Sequence, residues 1–314
     1  MRILVTGAAG FIGSHLCEAL IKDNQIFGID NFCDYYSPEV KKNNIEKLLL
    51  NDSFNISEID IRDVEALEEF FNKHVVDVVI HLAAMAGVRP SIIDPVLYTE
   101  VNINGTVNLL EQCKKHNVKK FVFASSSSVY GNNKKTPFTE SDVVDFPISP
   151  YASTKKAGEL ICYTYHHLEA MSIACLRFFT VYGPRQRPDL AIHKFAKKIQ
   201  NNETIDVYGD GSSRRDYTYI TDILDGIVKA VKFIQTGNKF EVFNLGESQT
   251  ISLSTMIETI ENAMGIKANK NVLPMQPGDV YITYADITKS RKMLGYSPSV
   301  CFEEGITKFV NWLN

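Results

Sequence analysis

The sequence has no excess of positive charge, no long apolar run and no closely spaced cysteine pair. Its formal net charge is −4 and its isoelectric point is near 6.0, which argues against a nucleic-acid partner because phosphates bind to basic surfaces. A membrane-spanning helix needs about 18 consecutive apolar residues, and no such run occurs. The apolar stretch at residues 3–5 is too short for a signal peptide. We therefore expect neither a membrane span nor export.

The six cysteines are far apart in the chain, and none belongs to a C-x-x-C motif. Reduced thiols in the cytoplasm are the simplest interpretation of this spacing. With 314 residues, of which 45% are hydrophobic and 22% charged, the chain can bury a large core. It is expected to form two domains or one large α/β domain.

A glycine-rich turn follows the first apolar run. Residues 3–5 are typical of a strand buried on both faces of a parallel sheet, and residues 11–22 are typical of a helix. The spacing G-x-x-G-x-x-G between them allows the backbone to approach a pyrophosphate, although a tight turn needs glycine even without a ligand. The residues that this turn would bring to a dinucleotide are Gly7, Gly10, Phe11, Ile12 and Gly13.

Acidic residues follow the second and third predicted strands. Asp30 lies about 20 residues after the glycine turn, where a carboxylate accepts hydrogen bonds from ribose hydroxyls. It would repel the 2′-phosphate of NADP, and the adjacent Asn31 carries no positive charge, so the sequence predicts NAD. Asp60 and Ile61 are placed to meet the adenine edge. The alternative is that this turn only caps the next helix through Asp63.

Small residues follow the fourth predicted strand. Leu82, Ala83 and Ala84 suit a backbone that passes close to a cofactor, whereas His81 is interpreted as structural. Asn102 belongs to a helix predicted over 99–116.

Strands and helices alternate regularly, which predicts an α/β fold with a doubly wound parallel Rossmann sheet and ligands at the carboxyl ends of its strands. We assign residues 1–178 to an NAD-binding domain and residues 179–314 mainly to a smaller, interleaved C-terminal substrate domain. Elements at 217–245 are expected to return to the first domain. The insertion at 33–50 either covers the ligand cleft or is a surface loop.

The segment Y-A-S-T-K at residues 151–155 predicts a catalytic base. Tyr151 and Lys155 share one face of a helix that begins after Pro150, and a nearby ammonium lowers the pKa of a phenol toward neutrality. The alternative is an amphipathic helix with a packed tyrosine and an exposed lysine. A serine run at 125–128 ends the strand predicted just upstream.

Taken together, these motifs resemble the extended short-chain dehydrogenase/reductases that act on nucleotide sugars, and the resemblance covers nearly the whole chain. It is carried by the glycine turn, Asp30, H-L-A-A at 81–84, the serine run before V-Y-G at 129–131, Y-A-S-T-K, R-F-F-T-V-Y-G-P at 177–184 and G-D-G-S-S-R-R-D-Y at 209–217. Within that family the chain is most similar to the UDP-glucuronate 4-epimerases, through D-Y-Y at 34–36, A-G-V-R at 86–89, R-Q-R-P-D at 185–189, A-I-H-K-F at 191–195 and M-Q-P-G-D-V at 275–280.

The resemblance implies a role for each residue of the site. Ser126 would be the catalytic serine beside Tyr151, and Lys155 would also bond to the nicotinamide ribose. Asn102 and Phe178 would line the cofactor. NAD would stay tightly bound and be regenerated in each turnover.

The resemblance also implies the substrate contacts. Ser127 and Ser128 would donate hydrogen bonds to the sugar, Arg215 would clamp the UDP phosphates, and Tyr208 would lie near the uracil. Asp279 belongs to the M-Q-P-G-D-V segment of the same binding region.

A glucuronate carboxylate needs a positive partner in a protein of net negative charge. Arg187 with Thr180 would supply a guanidinium fork and a hydroxyl, and fixing the carboxylate would limit loss of carbon dioxide from the 4-keto sugar. Alternatively Arg185 takes this role, or Arg187 is a surface residue. A neutral UDP-hexose, UDP-glucose or UDP-N-acetylglucosamine, is the competing substrate class.

The expected reaction is epimerisation at the fourth carbon of the sugar through a 4-keto intermediate. Related sugar 4,6-dehydratases carry Asp-Glu just after the catalytic Ser or Thr, and UDP-glucuronate decarboxylases carry a Glu on the approach to V-Y-G. The serines at 127–128 therefore disfavour elimination. A non-catalytic NAD-binding module is the remaining alternative, but it would not need the Ser, Tyr and Lys set. The resemblance also implies a homodimer, formed through helices at 99–116 and after Pro150.

Overall fold

The computed structural model describes residues 1–274 and 280–314. Strands and helices alternate within these ranges, and the predicted α/β class is confirmed. The strands are β1 Arg2–Thr6, β2 Gln25–Asp30, β3 Phe54–Glu58, β4 Val78–His81, β5 Lys120–Ser126, β6 Ser172–Phe178, β7 Thr180–Tyr182, β8 Ile205–Tyr208, β9 Arg214–Arg215, β10 Tyr217–Tyr219, β11 Phe240–Leu245, β12 Ile251–Ser252 and β13 Lys270–Leu273.

Helices follow most of these strands. They are α1 Phe11–Leu20, α2 Pro38–Ile45, α3 Val64–Lys73, α4 Val88–Ile93, α5 Pro95–Thr99, α6 Gly105–Lys115, α7 Pro150–Glu169, α8 Ala191–Gln200, α9 Ile220–Phe233, α10 Leu253–Met264, α11 Thr288–Leu294 and α12 Phe302–Leu313. Within the described ranges, every helix is too short or too polar to traverse a bilayer.

The central sheet is parallel, with the strand order β11-β6-β5-β4-β1-β2-β3. The chain runs outward from β1 to β3, then crosses back and continues from β4 on the other side of β1. Ligand clefts in such doubly wound sheets open at the carboxyl ends of the strands, where the order reverses. The topology therefore places the cleft beyond the ends of β1 and β4.

The C-terminal half contributes to the central sheet and to separate two-stranded pairs. Strand β11 extends the central sheet beside β6, whereas β10 pairs with β7 outside it. Strands β9 with β12 and β8 with β13 form two further pairs. The division of the chain into domains near residue 178 stays a prediction.

The central sheet is apolar on both faces, as expected of parallel strands covered by helices. Ile3 and Val5 pack in one buried cluster and Leu4 in another, because side chains alternate along a strand. Val122 of β5 joins the first cluster and Phe121 the second. Burial on both faces fixes the register of the strands whose ends carry the site.

Two local features differ from or refine the predicted helices. The helix predicted over 99–116 is interrupted by a wide π turn at Glu100–Asn104, between α5 and α6, and this turn carries the buried Asn102. Helix α7 begins at Pro150, and Ser149 caps it by accepting a hydrogen bond of 3.1 Å from the amide of Ala152. The cap fixes the first turn, which contains Tyr151.

Candidate active site

A cavity of about 800 Å³ opens at the carboxyl ends of the central strands. Most of the residues that the sequence predicts for cofactor and substrate line it. They are Gly7, Gly10, Phe11, Ile12, Gly13, Asp30, Asn31, Asp60, Ile61, Leu82, Ala83, Ala84, Ser126, Ser127, Ser128, Tyr151, Lys155, Phe178, Thr180, Arg187 and Arg215. Of the other predicted residues in the described ranges, Asn102, Arg185 and Tyr208 lie outside this lining. Asp279 falls outside the described residues.

The glycine turn leaves no room for side chains. Gly7 has a φ of +71°, and a Cβ there would lie 2.9 Å from the amide nitrogen of Ala83. A Cβ at Gly13 would lie 2.0 Å from the carbonyl oxygen of Gly7. The bare backbone therefore packs against the 82–84 segment and presents the amino end of α1 to the cavity, which is the arrangement that binds a pyrophosphate.

Asp30 lies at the end of β2 with its carboxylate facing the glycine turn. It accepts hydrogen bonds from the amide of Ala9 at 3.1 Å and from the amide of Phe32 at 2.9 Å. Burial raises its pKa, and these two donors, with the charge of Lys41, counteract that rise. The carboxylate is thus fixed by backbone on two sides at the cavity edge where a ribose would bind.

The acidic turn after β3 combines both roles that the sequence suggested. Asp60 lines the cavity, accepts a hydrogen bond of 2.9 Å from Asn31, and is paired with Arg62, whose hydrogen bonds lower its pKa to about 2. Asp63 caps α3 through the amide of Ala66 at 3.0 Å. The predicted cap and the cavity lining therefore come from neighbouring residues of one turn.

His81 and Asn102 are buried behind the cavity. Burial lowers the pKa of His81 to about 3, and its ring nitrogens contact the hydroxyls of Thr6 and Thr106 at 2.7 and 3.0 Å. Asn102 accepts from the amide of Met85 at 2.8 Å and donates to its carbonyl oxygen at 2.9 Å. Asn102 thus fixes the segment after β4, which lines the cavity, rather than lining it itself.

Ser126 and Tyr151 meet across the cavity floor. The Ser126 hydroxyl lies close enough to the Tyr151 hydroxyl to lower the pKa of Tyr151, which partly offsets the rise that its burial causes. The Ser126 hydroxyl also accepts a hydrogen bond of 2.9 Å from the hydroxyl of Ser128. The chain thus brings a serine from the end of β5 and a tyrosine from the first turn of α7 together.

Lys155 is buried, so the alternative of an exposed lysine on an amphipathic helix is wrong. Its ammonium donates a hydrogen bond of 2.7 Å to the carbonyl oxygen of Ala124, and burial lowers its pKa to about 8. The sequence predicts that Lys155 lowers the pKa of Tyr151. In the structure the charge that lowers it is that of Arg187.

Arg187 lines the cavity near Tyr151 and is fixed on several sides. Its guanidinium is paired with Asp189 through two hydrogen bonds of 2.9 and 2.8 Å, and its carbon lies 5.0 Å from the ring centre of Tyr35. It also donates a hydrogen bond of 3.3 Å to the carbonyl oxygen of Ala86. The side chain is 17% exposed, which excludes the alternative that it is an ordinary surface residue.

Arg185 points the other way. It forms an ion pair of 2.6 Å with Glu18 on α1 and donates to the hydroxyl of Ser14 at 3.3 Å. Of the two arginines that the sequence left open for the carboxylate, the structure brings only Arg187 to the cavity.

The residues predicted for the nucleotide end are placed less uniformly. Arg215 on β9 lines the cavity, and its guanidinium donates a hydrogen bond of 2.9 Å to the carbonyl oxygen of Arg214. Tyr208 lies on β8 outside the lining, with the guanidinium carbon of Arg89 5.1 Å from its ring centre. A contact between Tyr208 and the uracil stays a prediction.

Two features of the site were missed in the sequence. Tyr35 lines the cavity and stacks on Arg187, and the D-Y-Y string in the insertion was its only signal. Glu159, one turn after Lys155, forms a buried ion pair of 2.8 Å with Arg177. It also accepts a hydrogen bond of 2.6 Å from the hydroxyl of Ser125. No spacing rule joins these two charges, because they come from α7 and β6.

A family model described as GDP-mannose 4,6 dehydratase matches residues 4–309. The chain belongs to this family. The UDP-glucuronate 4-epimerase of Thermodesulfobacterium geofontis, a relative, is 43% identical over 311 residues, which cover 98% of this chain and 95% of that protein. The crystal structure of the UDP-glucuronic acid 4-epimerase from Bacillus cereus, in complex with UDP-glucuronic acid and NAD, has a TM-score of 0.93 and 41% identity and covers 100% of this chain and 99% of that one.

A more distant neighbour is the UDP-glucose 4-epimerase of Thermotoga maritima with UDP-glucose, with a TM-score of 0.91, 32% identity and coverage of 100% of this chain and 98% of that one. These similarities confirm the resemblance to nucleotide-sugar epimerases that the motifs indicate. This member of the GDP-mannose 4,6 dehydratase family has Ser127 and Ser128 where a dehydratase is expected to carry Asp-Glu. The name of the family therefore does not describe the chemistry of this site.

Proposed function

We propose that this protein is an NAD-dependent isomerase that converts UDP-glucuronate into UDP-galacturonate by inverting the fourth carbon of the sugar. The observation that carries this proposal is a guanidinium, that of Arg187, held in the same cavity as the Ser126 and Tyr151 pair. Relatives that cover almost the whole chain carry the same activity in their names.

The cavity fits a dinucleotide cofactor. A Cβ at Gly7 or Gly13 would clash with neighbouring backbone, so only glycine allows the tight turn that brings backbone amides to a pyrophosphate, and Asp30 presents a carboxylate at the end of β2. Asp30 would bind the adenosine ribose, and Lys155 would bind the nicotinamide ribose. When bound, NAD supplies the acceptor and donor for the hydrogen at the fourth carbon of the sugar.

Tyr151 and Ser126 move the proton of the 4-hydroxyl. Tyr151, as the phenolate, accepts this proton, and Ser126, whose hydroxyl lies beside that of Tyr151, orients or relays it. A 4-keto sugar would result when the hydrogen on the fourth carbon also leaves, as hydride, to bound NAD. If the sugar then turned its other face, return of that hydride would invert the fourth carbon, and Tyr151 would give the proton back to the oxygen.

The substrate is held at its two charged ends. Arg187 and Thr180 would bind the carboxylate, which a guanidinium fork fits, and Arg215 would bind the diphosphate. Ser127 and Ser128 would meet the sugar hydroxyls. Holding the carboxylate also disfavours its loss as carbon dioxide from the 4-keto sugar.

A neutral UDP-hexose is the second candidate substrate, because the Thermotoga maritima neighbour acts on UDP-glucose. The test is to supply UDP-glucuronate, UDP-glucose and UDP-N-acetylglucosamine to the purified protein and to identify the products by NMR. We expect UDP-galacturonate as the main product. Preferential turnover of either neutral sugar would refute the carboxylate assignment.

We further propose a homodimer and a cytoplasmic location. Leu160 and Leu168 on α7 and Val96 on α5 are 57%, 69% and 65% exposed, and a partner's helices would cover such apolar side chains. The six free thiols agree with a reducing compartment. Sedimentation at micromolar concentration tests the dimer, and cell fractionation tests the location.

A further inference from the structure

The loop at 183–187, between β7 and α8, is fastened to helix α1. The Nε2 atom of His15 lies 2.9 Å from the carbonyl oxygen of Pro184, and Arg185 forms a 2.6 Å ion pair with Glu18. Arg185 adopts a φ of +64°, which is uncommon for a residue other than glycine. The backbone thus takes a less favourable conformation at the residue whose side chain reaches α1.

The rest of the loop points into the protein. Gln186 is buried and donates a hydrogen bond of 3.1 Å to the carbonyl oxygen of Val181, while Arg187, the next residue, lines the cavity. Arg185 and Arg187, two residues apart, therefore face different surroundings: Arg185 contacts α1, and Arg187 lines the cavity.

We propose that Arg185 and Glu18 are positioning residues that hold the 183–187 loop on α1 and thereby place Arg187 for the carboxylate of the substrate. This inference rests on the proposed function, since it concerns the recognition of UDP-glucuronate. Arg185 is not itself a ligand of the sugar. The ion pair sets the preference for a charged sugar over a neutral one, while the UDP contacts are independent of it.

A double-mutant cycle separates this role from direct contact. The variants are Arg185→Gln, Glu18→Gln and the double variant, each saturated with NAD, with Arg185→Lys as the conservative control. Calorimetry gives the dissociation constants of UDP-glucuronate, UDP-glucose and UDP. Steady-state assays give kcat and KM for UDP-glucuronate.

We expect each single variant and the double variant to raise the dissociation constant of UDP-glucuronate by the same factor of about three to five. This is the size of effect that a partly exposed ion pair allows. The dissociation constants of UDP-glucose and UDP should change by less than about twofold. For UDP-glucuronate, KM should rise with little change in kcat. Arg185→Lys should restore most of the lost affinity for UDP-glucuronate.

Three results would overturn the inference. An effect in Arg185→Gln but not in Glu18→Gln would make Arg185 a direct ligand. An equal loss of affinity for all three nucleotides would indicate a general structural role. Unchanged affinity for UDP-glucuronate in every variant would mean that the ion pair takes no part in recognition. A wild-type protein that binds UDP-glucose more tightly than UDP-glucuronate would instead refute the proposed function, and this inference with it.

Discussion

The ammonium of Lys155 lies 2.7 Å from the carbonyl oxygen of Ala124, two residues before Ser126 on β5. Because Lys155 is one helical turn after Tyr151 on α7, this hydrogen bond ties the catalytic helix to the strand that carries the serine. Ser126 and Tyr151 both line the cavity, where the serine lowers the pKa of the phenol. Lys155 therefore positions the helix that carries the proton acceptor, whereas the charge that lowers the pKa of Tyr151 is that of Arg187.

Replacing Tyr151 by Phe removes the proton acceptor while keeping the ring. We expect kcat for UDP-glucuronate to fall by about 10²- to 10⁴-fold, the usual contribution of general acid–base catalysis, with NAD still bound. Tyr163→Phe is the matched control, because Tyr163 lies on the same helix and is 54% exposed. Normal turnover by the Tyr151 variant would remove this residue from the mechanism.

Replacing Lys155 by Met tests the burial of its charge. Burial lowers the pKa of Lys155 from 10.5 to about 8, a cost to the folded state of about 3 kcal/mol at pH 7 before its hydrogen bond is counted. We expect the variant without cofactor to gain about 1–3 kcal/mol in free energy of unfolding at pH 7, measured with urea, and to lose epimerisation.

The pH dependence of that gain has a defined sign. The cost is complete below pH 8, where Lys155 is charged in both states, and it disappears as the pH rises toward 10.5, because the folded protein has by then released the proton. The difference between variant and wild type should therefore shrink from pH 7 to pH 10. An identical difference in free energy of unfolding at both pH values would mean that burying the ammonium does not destabilise the folded protein.

Much of the fold was predictable from local patterns. Continuous apolar runs marked β1, β2 and β4, because strands buried on both faces have no polar alternation, and they are followed by a glycine turn, an acidic residue and small residues respectively. The cofactor end of the cavity was predictable for the same reason: Gly7, Gly13 and Asp30 are fixed by the requirements of one turn and one strand end.

The substrate end was only partly predictable. Arg185 and Arg187 are two residues apart, and sequence cannot decide which faces the cavity, since the left-handed backbone at Arg185 and its contact with Glu18 depend on the packing of α1. The contact of Lys155 with Ala124 was not foreseen either. A pattern four residues apart places two side chains on one face but does not say that a strand carbonyl competes for the ammonium.

Replacing Arg187 by Gln should raise KM for UDP-glucuronate by about 10- to 100-fold, because charge-assisted hydrogen bonds to a carboxylate contribute about 1.5–3 kcal/mol each. The dissociation constant of UDP-glucose should change by less than about threefold. Arg2→Gln is the control, since Arg2 is paired with Asp77 on the surface and is 46% exposed. A similar loss for both sugars would place Arg187 at the nucleotide rather than at the carboxylate.

Replacing Asp30 by Asn should raise the dissociation constant of NAD by about tenfold, since a neutral amide accepts hydrogen bonds from a ribose less strongly than a carboxylate does. NADP should bind somewhat better than to the wild type, because the repulsion of the 2′-phosphate is removed. Fluorescence titration of protein stripped of cofactor measures both constants. Unchanged NAD affinity would mean that Asp30 only stabilises the glycine turn through Ala9 and Phe32.

The central claim is that one sugar loses and regains the same hydrogen at its fourth carbon inside this cavity. The most direct measurement supplies UDP-glucuronate deuterated at that carbon, in ordinary water, and follows the product by NMR. We predict that the deuterium stays on the fourth carbon of UDP-galacturonate and that no NADH accumulates. Exchange of the deuterium with solvent, or consumption of one added nucleotide per turnover, would contradict the account.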